Sequence, residues 1–286
     1  GFSWSPGFKR NTTGIVIWSD IFLHDRGDEK LAIILLDTQG LFDDNSPTAD
    51  SMRIFALNAL LSSFLIYNLG GLVTENELEY LQMATSYAQY ANQLDDVKKL
   101  QHGTGEKPFQ DFLFLVRDFE HIGNFDWGLD GGRKYIQNIL QTTTEEYYAE
   151  DDDTSDEIVN AKNMLAKKRH DSLIQVREYI DATFENINGF LMPHPGKKGT
   201  NHLNYDGRWS VLEDEFVKHL KEAIEWMFAP ENLKVKKIFG EELTGKTYHD
   251  FVRTYCRAFK EQKLPNIMSI YNVTVEQQLT NYIDEI

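Results

Sequence analysis

A single cysteine, Cys256, occurs in 286 residues. That rules out an internal disulfide and fits a reducing compartment. Basic residues are also scarce: 29 Lys and Arg stand against 45 Asp and Glu, for a formal net charge of −16. Nucleic acid is therefore excluded as a natural partner, because a phosphate backbone needs a basic surface. A mononucleotide is not excluded, since its site needs only a local cluster of donors and a metal ion. No apolar run reaches the roughly 18–20 residues of a membrane span; Leu31–Leu36 and Phe112–Val116 have strand length. No signal peptide opens the sequence. It begins Gly1-Phe2-Ser3-Trp4 without an initiator methionine, as a processed protein or a fragment would. The remaining composition, 41% hydrophobic and 26% charged, is that of a soluble globular protein. At this length one large domain, or one domain and a fragment, can bury a sizeable core without disulfide or metal staples.

Three short apolar runs end in polar or turn residues: Leu31–Leu36 before Asp37-Thr38-Gln39-Gly40, Phe112–Val116 before Arg117-Asp118, and Gly189–Met192 before Pro193-His194-Pro195-Gly196. Near-continuous apolar strands predict burial on both faces, as in a parallel sheet covered by helices. Gly14–Trp18 reads as an edge strand and Ser63–Tyr67 as a further one. Helical patterns lie between. Thr74-x-x-Glu77 is a capping-box signal before Leu78, Leu81 and Ala88. Leu173, Val176, Ile180 and Phe184 share one helical face, as do Leu212, Phe216, Leu220 and Ile224, and Phe251, Tyr255 and Phe259. Strands alternating with helices predict an α/β fold with a mostly parallel sheet flanked by helices. The acidic stretch 145–157 reads as a solvated loop. Gln262-Lys263-Leu264-Pro265 reads as a hinge, and Val275, Leu279, Tyr282 and Ile283 as the start of a new amphipathic helix.

In an open α/β sheet, ligands bind at the carboxyl ends of the strands, where all three buried runs carry chemistry. Asp37-Thr38-Gln39-Gly40 has the form D-x-x-G, in which the Asp can hold Mg²⁺ through water and the Gly amide can donate to a γ-phosphate. Asp118 could accept both the N1–H and the exocyclic amine of guanine, a donor pair that adenine lacks. The hydroxyl of Thr12, in Thr12-Thr13-Gly14, could ligate Mg²⁺. Taken singly, each is also an ordinary turn or surface residue.

Their ordered combination resembles a known family. Asp37-Thr38-Gln39-Gly40, Ile54-Phe55-Ala56-Leu57, Leu61-Ser62-Ser63, Tyr67-Asn68-Leu69, Leu115-Val116-Arg117-Asp118 and Phe190–Gly196 are similar to the G domain of atlastin-type GTPases of the dynamin superfamily. Guanylate-binding proteins are similar more distantly. The resemblance implies a G domain over residues 1–262, with a linker and the start of an α-helical middle domain over 263–286. It implies GTP and GDP as ligands, Mg²⁺ as cofactor, a homodimer formed through the G domains, and GTP hydrolysis by the complete protein. It further implies fusion and networking of endoplasmic-reticulum membranes from their cytosolic face, through membrane-anchoring segments outside this chain, the chain itself being soluble. By the same resemblance Thr12, Gln39 and Gly40 are catalytic, and Thr12 and Asp37 bind the metal. Arg117, Asp118, Lys197 and Lys198 bind the nucleotide, the last two from a base-capping loop, while His194 structures that loop.

Three departures qualify this. No G-x-x-x-x-G-K-[ST] occurs in the 286 residues; Gly103-Thr104-Gly105-Glu106-Lys107 has the wrong spacing and precedes a strand. That motif supplies the lysine and the phosphate-cradling amides, so these residues alone are expected to hydrolyse GTP negligibly, and a non-hydrolysing interaction module is the alternative reading. Ser5-Pro6 removes a positive charge from the first switch segment, and Ala49 replaces a basic residue before Asp50.

Overall fold

A computed structural model describes residues 2, 11–40, 48–93, 107–141, 171–197, 207–238 and 240–261. Its centre is a three-stranded parallel sheet, ordered β5 (Phe64–Gly70), β6 (Phe109–Arg117), β7 (Phe184–Leu191). Gly70 is paired with Arg117, and Val116 with Leu191, so the three carboxyl ends are flush. β6 is apolar from Phe112 to Val116 because both faces are covered. Phe112, Phe114 and Val116 face a core that contains Phe55, Ala56, Leu81, Ala84, Phe251 and Tyr255. Leu113 faces the other way, with Phe190, Met192 and Ala223. These β6 side chains are fully buried, and each such burial contributes about 1.5–3 kcal/mol.

Helices cover both faces, which makes the fold α/β as expected. α1 (Thr48–Leu61), α2 (Glu75–Asn92) and α6 (Gly245–Lys260) supply the first core, and α5 (Asp214–Met227) the second. α3 (Leu129–Leu140) lies against β7, and α4 spans 171–183. The capping box of α2 forms: Glu77 accepts from the Thr74 amide at 2.9 Å, and Leu78, Leu81 and Ala88 are buried. Arg177 of α4 ties three elements together, donating to the carbonyls of Ile139 and Leu173 and pairing with Glu75.

Three expectations need correction. Leu31–Leu36 is not one doubly buried parallel strand. It divides between β3 (Glu29–Ile33), antiparallel to β2 (Phe22–Arg26), and β4 (Leu36–Thr38), antiparallel to β1 (Ile15–Ile17). The chain changes ladder at Ile34-Leu35, each piece has one neighbour, and its side chains stay half-buried or exposed. A two-residue turn at Gly27 (φ 76°) and Asp28 closes the β2–β3 hairpin. Phe184, read as the last apolar residue of a helix, is the first residue of β7, where it stacks against Phe112 at 4.4 Å. Leu212 precedes α5, and Ile224 is 40% exposed; α5 buries His219 and Ala223 instead. The acidic stretch 145–157, the hinge, the tail and Ser5-Pro6 lie outside the described residues.

Candidate functional site

Asp118 stands immediately after β6 with φ 57°, the one positive φ at a non-glycine among the described residues. An aspartate tolerates this region better than most side chains, at a cost of about 1 kcal/mol, and such strain persists only where neighbours over-determine it. They do so here. Gly71 N donates to Arg117 O at 2.7 Å, Met192 N to Val116 O at 2.8 Å, and Phe119 N to Met192 O at 3.0 Å. Phe119 is 1% exposed and packs on Tyr135 at 5.2 Å, and Trp127 Nε1 donates to Phe119 O at 2.9 Å. The dipeptide Arg117-Asp118 is thus held between two buried residues, Val116 and Phe119, while its own side chains stay 47% and 37% exposed.

Neighbouring loops are fixed by the same elements. Tyr135 of α3 accepts from Val73 N at 3.0 Å; burial raises its pKa, so the hydroxyl stays protonated. Gly128 N donates to Leu191 O at 2.8 Å. Glu222 of α5 accepts from Leu129 N, at the positive end of α3, and contacts His219 Nδ1 at 2.9 Å. After β7, Gly196 N donates to His194 Nδ1 at 2.9 Å and Glu213 N to Pro195 O at 3.1 Å, hydrogen bonds that shape the start of the loop. Lys197 stands exposed in it; Lys198 lies outside the described residues.

The other sequence-derived candidates meet on the β1–β4 ladder. Thr12 Oγ1 donates to Asp37 Oδ2 at 2.6 Å. Gln39, 5% exposed, is locked to Gly14 in both directions: Gly14 N donates to Gln39 Oε1 at 2.9 Å, and Gln39 N to Gly14 O at 3.0 Å. Gly40 is exposed, with open space where a Cβ would stand. A hydroxyl and a carboxylate in contact are oxygen donors of the kind Mg²⁺ prefers, the remaining positions being left to water and phosphate. The residues present therefore fit that ion. Thr12, Asp37, Gln39 and Gly40 form one group and Arg117 and Asp118 another, on separate sheets. Asn68, which accepts from Arg117 Nε, and Glu222, which accepts from Leu129 N, carry no local signal of these contacts, because the partners lie far apart in sequence.

Residues 1–152 and 144–238 match the family described as guanylate-binding protein, N-terminal domain. The chain belongs to that family. It is of the atlastin type within it. Over 277 residues, 96% of this chain, it is 36% identical to atlastin-1 of Pongo abelii, 35% to atlastin-2 of Xenopus laevis and 31% to atlastin-2 of Homo sapiens. The match covers 44%, 43% and 42% of those proteins, so the chain spans less than half the length of the curated relatives. Among the described residues no helix of this G domain is long and apolar enough to cross a membrane.

Proposed function

We propose that this chain is the greater part of a G domain that, in the complete protein, binds and hydrolyses GTP, pairs with a second G domain, and so drives homotypic fusion and networking of endoplasmic-reticulum membranes. The domain covers residues 1–262, and 263–286 are a linker and the start of an α-helical middle domain. The observation that carries the reading is Asp118, held in a strained conformation by buried neighbours at the carboxyl end of a parallel strand with its carboxylate accessible. Strain stored at such a position points to recognition of a ligand. The carboxylate accepts two donors from guanine, with Arg117 beside it and Lys197 and Lys198 on the capping loop. Thr12 and Asp37 would hold Mg²⁺, which when bound neutralises charge on the phosphates. Gln39, clamped to Gly14, and the amide of Gly40 would orient the attacking water and the γ-phosphate edge.

The second reading, an interaction module without turnover, rests on the absence of G-x-x-x-x-G-K-[ST] from the 286 residues. Single-turnover hydrolysis separates the two. The complete protein should cleave GTP in a Mg²⁺-dependent reaction. The 286 residues alone should be slower by a factor on the order of 10³ or more, since the lysine and the amide cradle are missing and removing a single such donor costs roughly 10²–10³. No turnover by the complete protein would favour the module, and equal rates from the two would overturn the catalytic assignments.

A further inference from the structure

Arg117 and Asp118 are neighbours of opposite charge, and in an exposed dipeptide the guanidinium would be expected to take its own carboxylate, a pairing that planar Arg makes well. Here it does not. Arg117 Nη1 is 3.9 Å from Asp118 Oδ2, beyond hydrogen-bonding distance. Arg117 Nε instead donates to Asn68 Oδ1 on β5 at 2.5 Å. The register makes this possible. Gly70 is the cross-strand partner of Arg117, and with no side chain there the guanidinium lies alongside, its Nη2 3.9 Å from where a Cβ would stand. Asn68 is two residues back along the same strand, hence on the same face, and like Gly70 it is exposed.

We propose that Asn68 is a positioning residue for base selection: by anchoring the Arg117 guanidinium on β5 it keeps both oxygens of Asp118 available to guanine. The inference rests on Asp118 being the base-reading carboxylate. Guanine offers two donors to one carboxylate, so an arginine already paired with Asp118 would compete directly for those oxygens. Asparagine suits the anchoring role because its side-chain oxygen accepts from Nε across the sheet. Arg117 Nη2 then lies beside Gly70 and Nη1 near Asp118, so the guanidinium stays a positive group next to the carboxylate.

The test is competitive binding of GTP, ATP and xanthosine triphosphate to the complete protein. N68A should lower the GTP-to-ATP preference about three- to tenfold, below what a buried hydrogen bond to a charged group supplies because solvent exposure weakens it. N68D, which keeps an acceptor for Arg117, should retain the wild-type preference. In an R117Q background N68A should change nothing further, because no guanidinium remains to restrain. D118N serves as the control on the underlying reading and should move preference toward xanthosine triphosphate. An unchanged N68A ratio beside a D118N switch would overturn the role of Asn68 alone. So would equal losses in N68A and N68D, or an undiminished N68A effect without Arg117. A D118N variant that still prefers GTP would overturn both readings.

Discussion

Asp118 and Asp37 both end strands, but the strands differ in kind. β6 has a parallel neighbour on each side, and Phe112, Leu113, Phe114 and Val116 are fully buried. β4 has three residues, one antiparallel partner and no fully buried side chain. Ile17 on its partner β1, and Ile21 and Leu23 further along the chain, are 56%, 57% and 63% exposed. The end proposed to read the base therefore belongs to the more deeply buried unit, while the end proposed for metal and γ-phosphate hangs on few buried contacts and can open locally at lower cost. This is a useful division for a nucleotide switch. Under the proposed function the base, a constant feature of GTP and GDP, would be met by rigid groups, whereas the γ-phosphate, which comes and goes, would be met by groups whose placement is cheap to change.

The largest effect that sharpens the comparison lies where α3 meets β7. A Cβ on Gly132 would lie 2.3 Å from Gly189 O, and one on Gly189 would lie 2.2 Å from Gly132 O. Both obstacles are backbone, so neither can swing away. G132V should cost about 3 kcal/mol, read as a lower urea midpoint with an unchanged slope. A cost below about 1 kcal/mol would mean that α3 is not welded to the sheet, and the contrast between the two ends would fail. Next in size is D118N, which should weaken GTP binding about 100-fold, two hydrogen bonds to a charged acceptor being at stake, while xanthosine triphosphate binding improves. Competition assays at fixed ionic strength would read both changes, and unchanged GTP affinity would remove Asp118 from base reading.

The same contrast explains what could be read from the amino acids alone. β6 was legible because burial on both faces leaves an unbroken apolar run, and α2 because its capping box and 3–4 spacing are local. Leu31–Leu36 looks like β6 in composition but lies in two antiparallel ladders, and an apolar hexapeptide does not record how many neighbours it has. The β2–β3 hairpin was missed because Phe22-Leu23-His24-Asp25-Arg26 is exposed at most positions and carries no alternation. Phe184 fits the helical spacing of Val176 and Ile180, yet the helix ends one residue earlier. In the candidate site the residue types at Thr12, Asp37, Arg117 and Asp118 stood out, and their family order made them specific. The Asn68–Arg117 contact spans 49 positions, and the Gly132–Gly189 approach pairs residues equally remote from any shared local pattern. Neither leaves a trace that spacing could reveal.

A smaller effect is expected from D37A. It removes the acceptor of the Thr12 hydroxyl and one of the two oxygen donors suited to Mg²⁺. GTP affinity of the complete protein should fall about tenfold with Mg²⁺ present, a single charge-assisted contact being lost, and the difference from wild type should shrink when a chelator removes the metal from both. An equal loss with and without Mg²⁺ would assign Asp37 to folding, and the ladder would then belong with the rigid end.

The smallest effect tests that ladder directly. Gly14 has φ 71°, and a Cβ there would meet nothing within 4 Å. G14A therefore introduces no clash and isolates the backbone term, about 1 kcal/mol for a side chain in the left-handed region. The chain can escape this cost by relaxing locally, at the expense of the two hydrogen bonds that join Gly14 to Gln39. If the ladder is a weakly coupled unit, relaxation is the cheaper course. Global stability should then fall by less than about 1 kcal/mol, while amide exchange at Gly14 and Gln39 quickens and exchange in β6 stays as it was. If the ladder shares in the global transition, β6 exchange should quicken in step with Gly14. That outcome would break the comparison, because the two ends of the site would then rise and fall together.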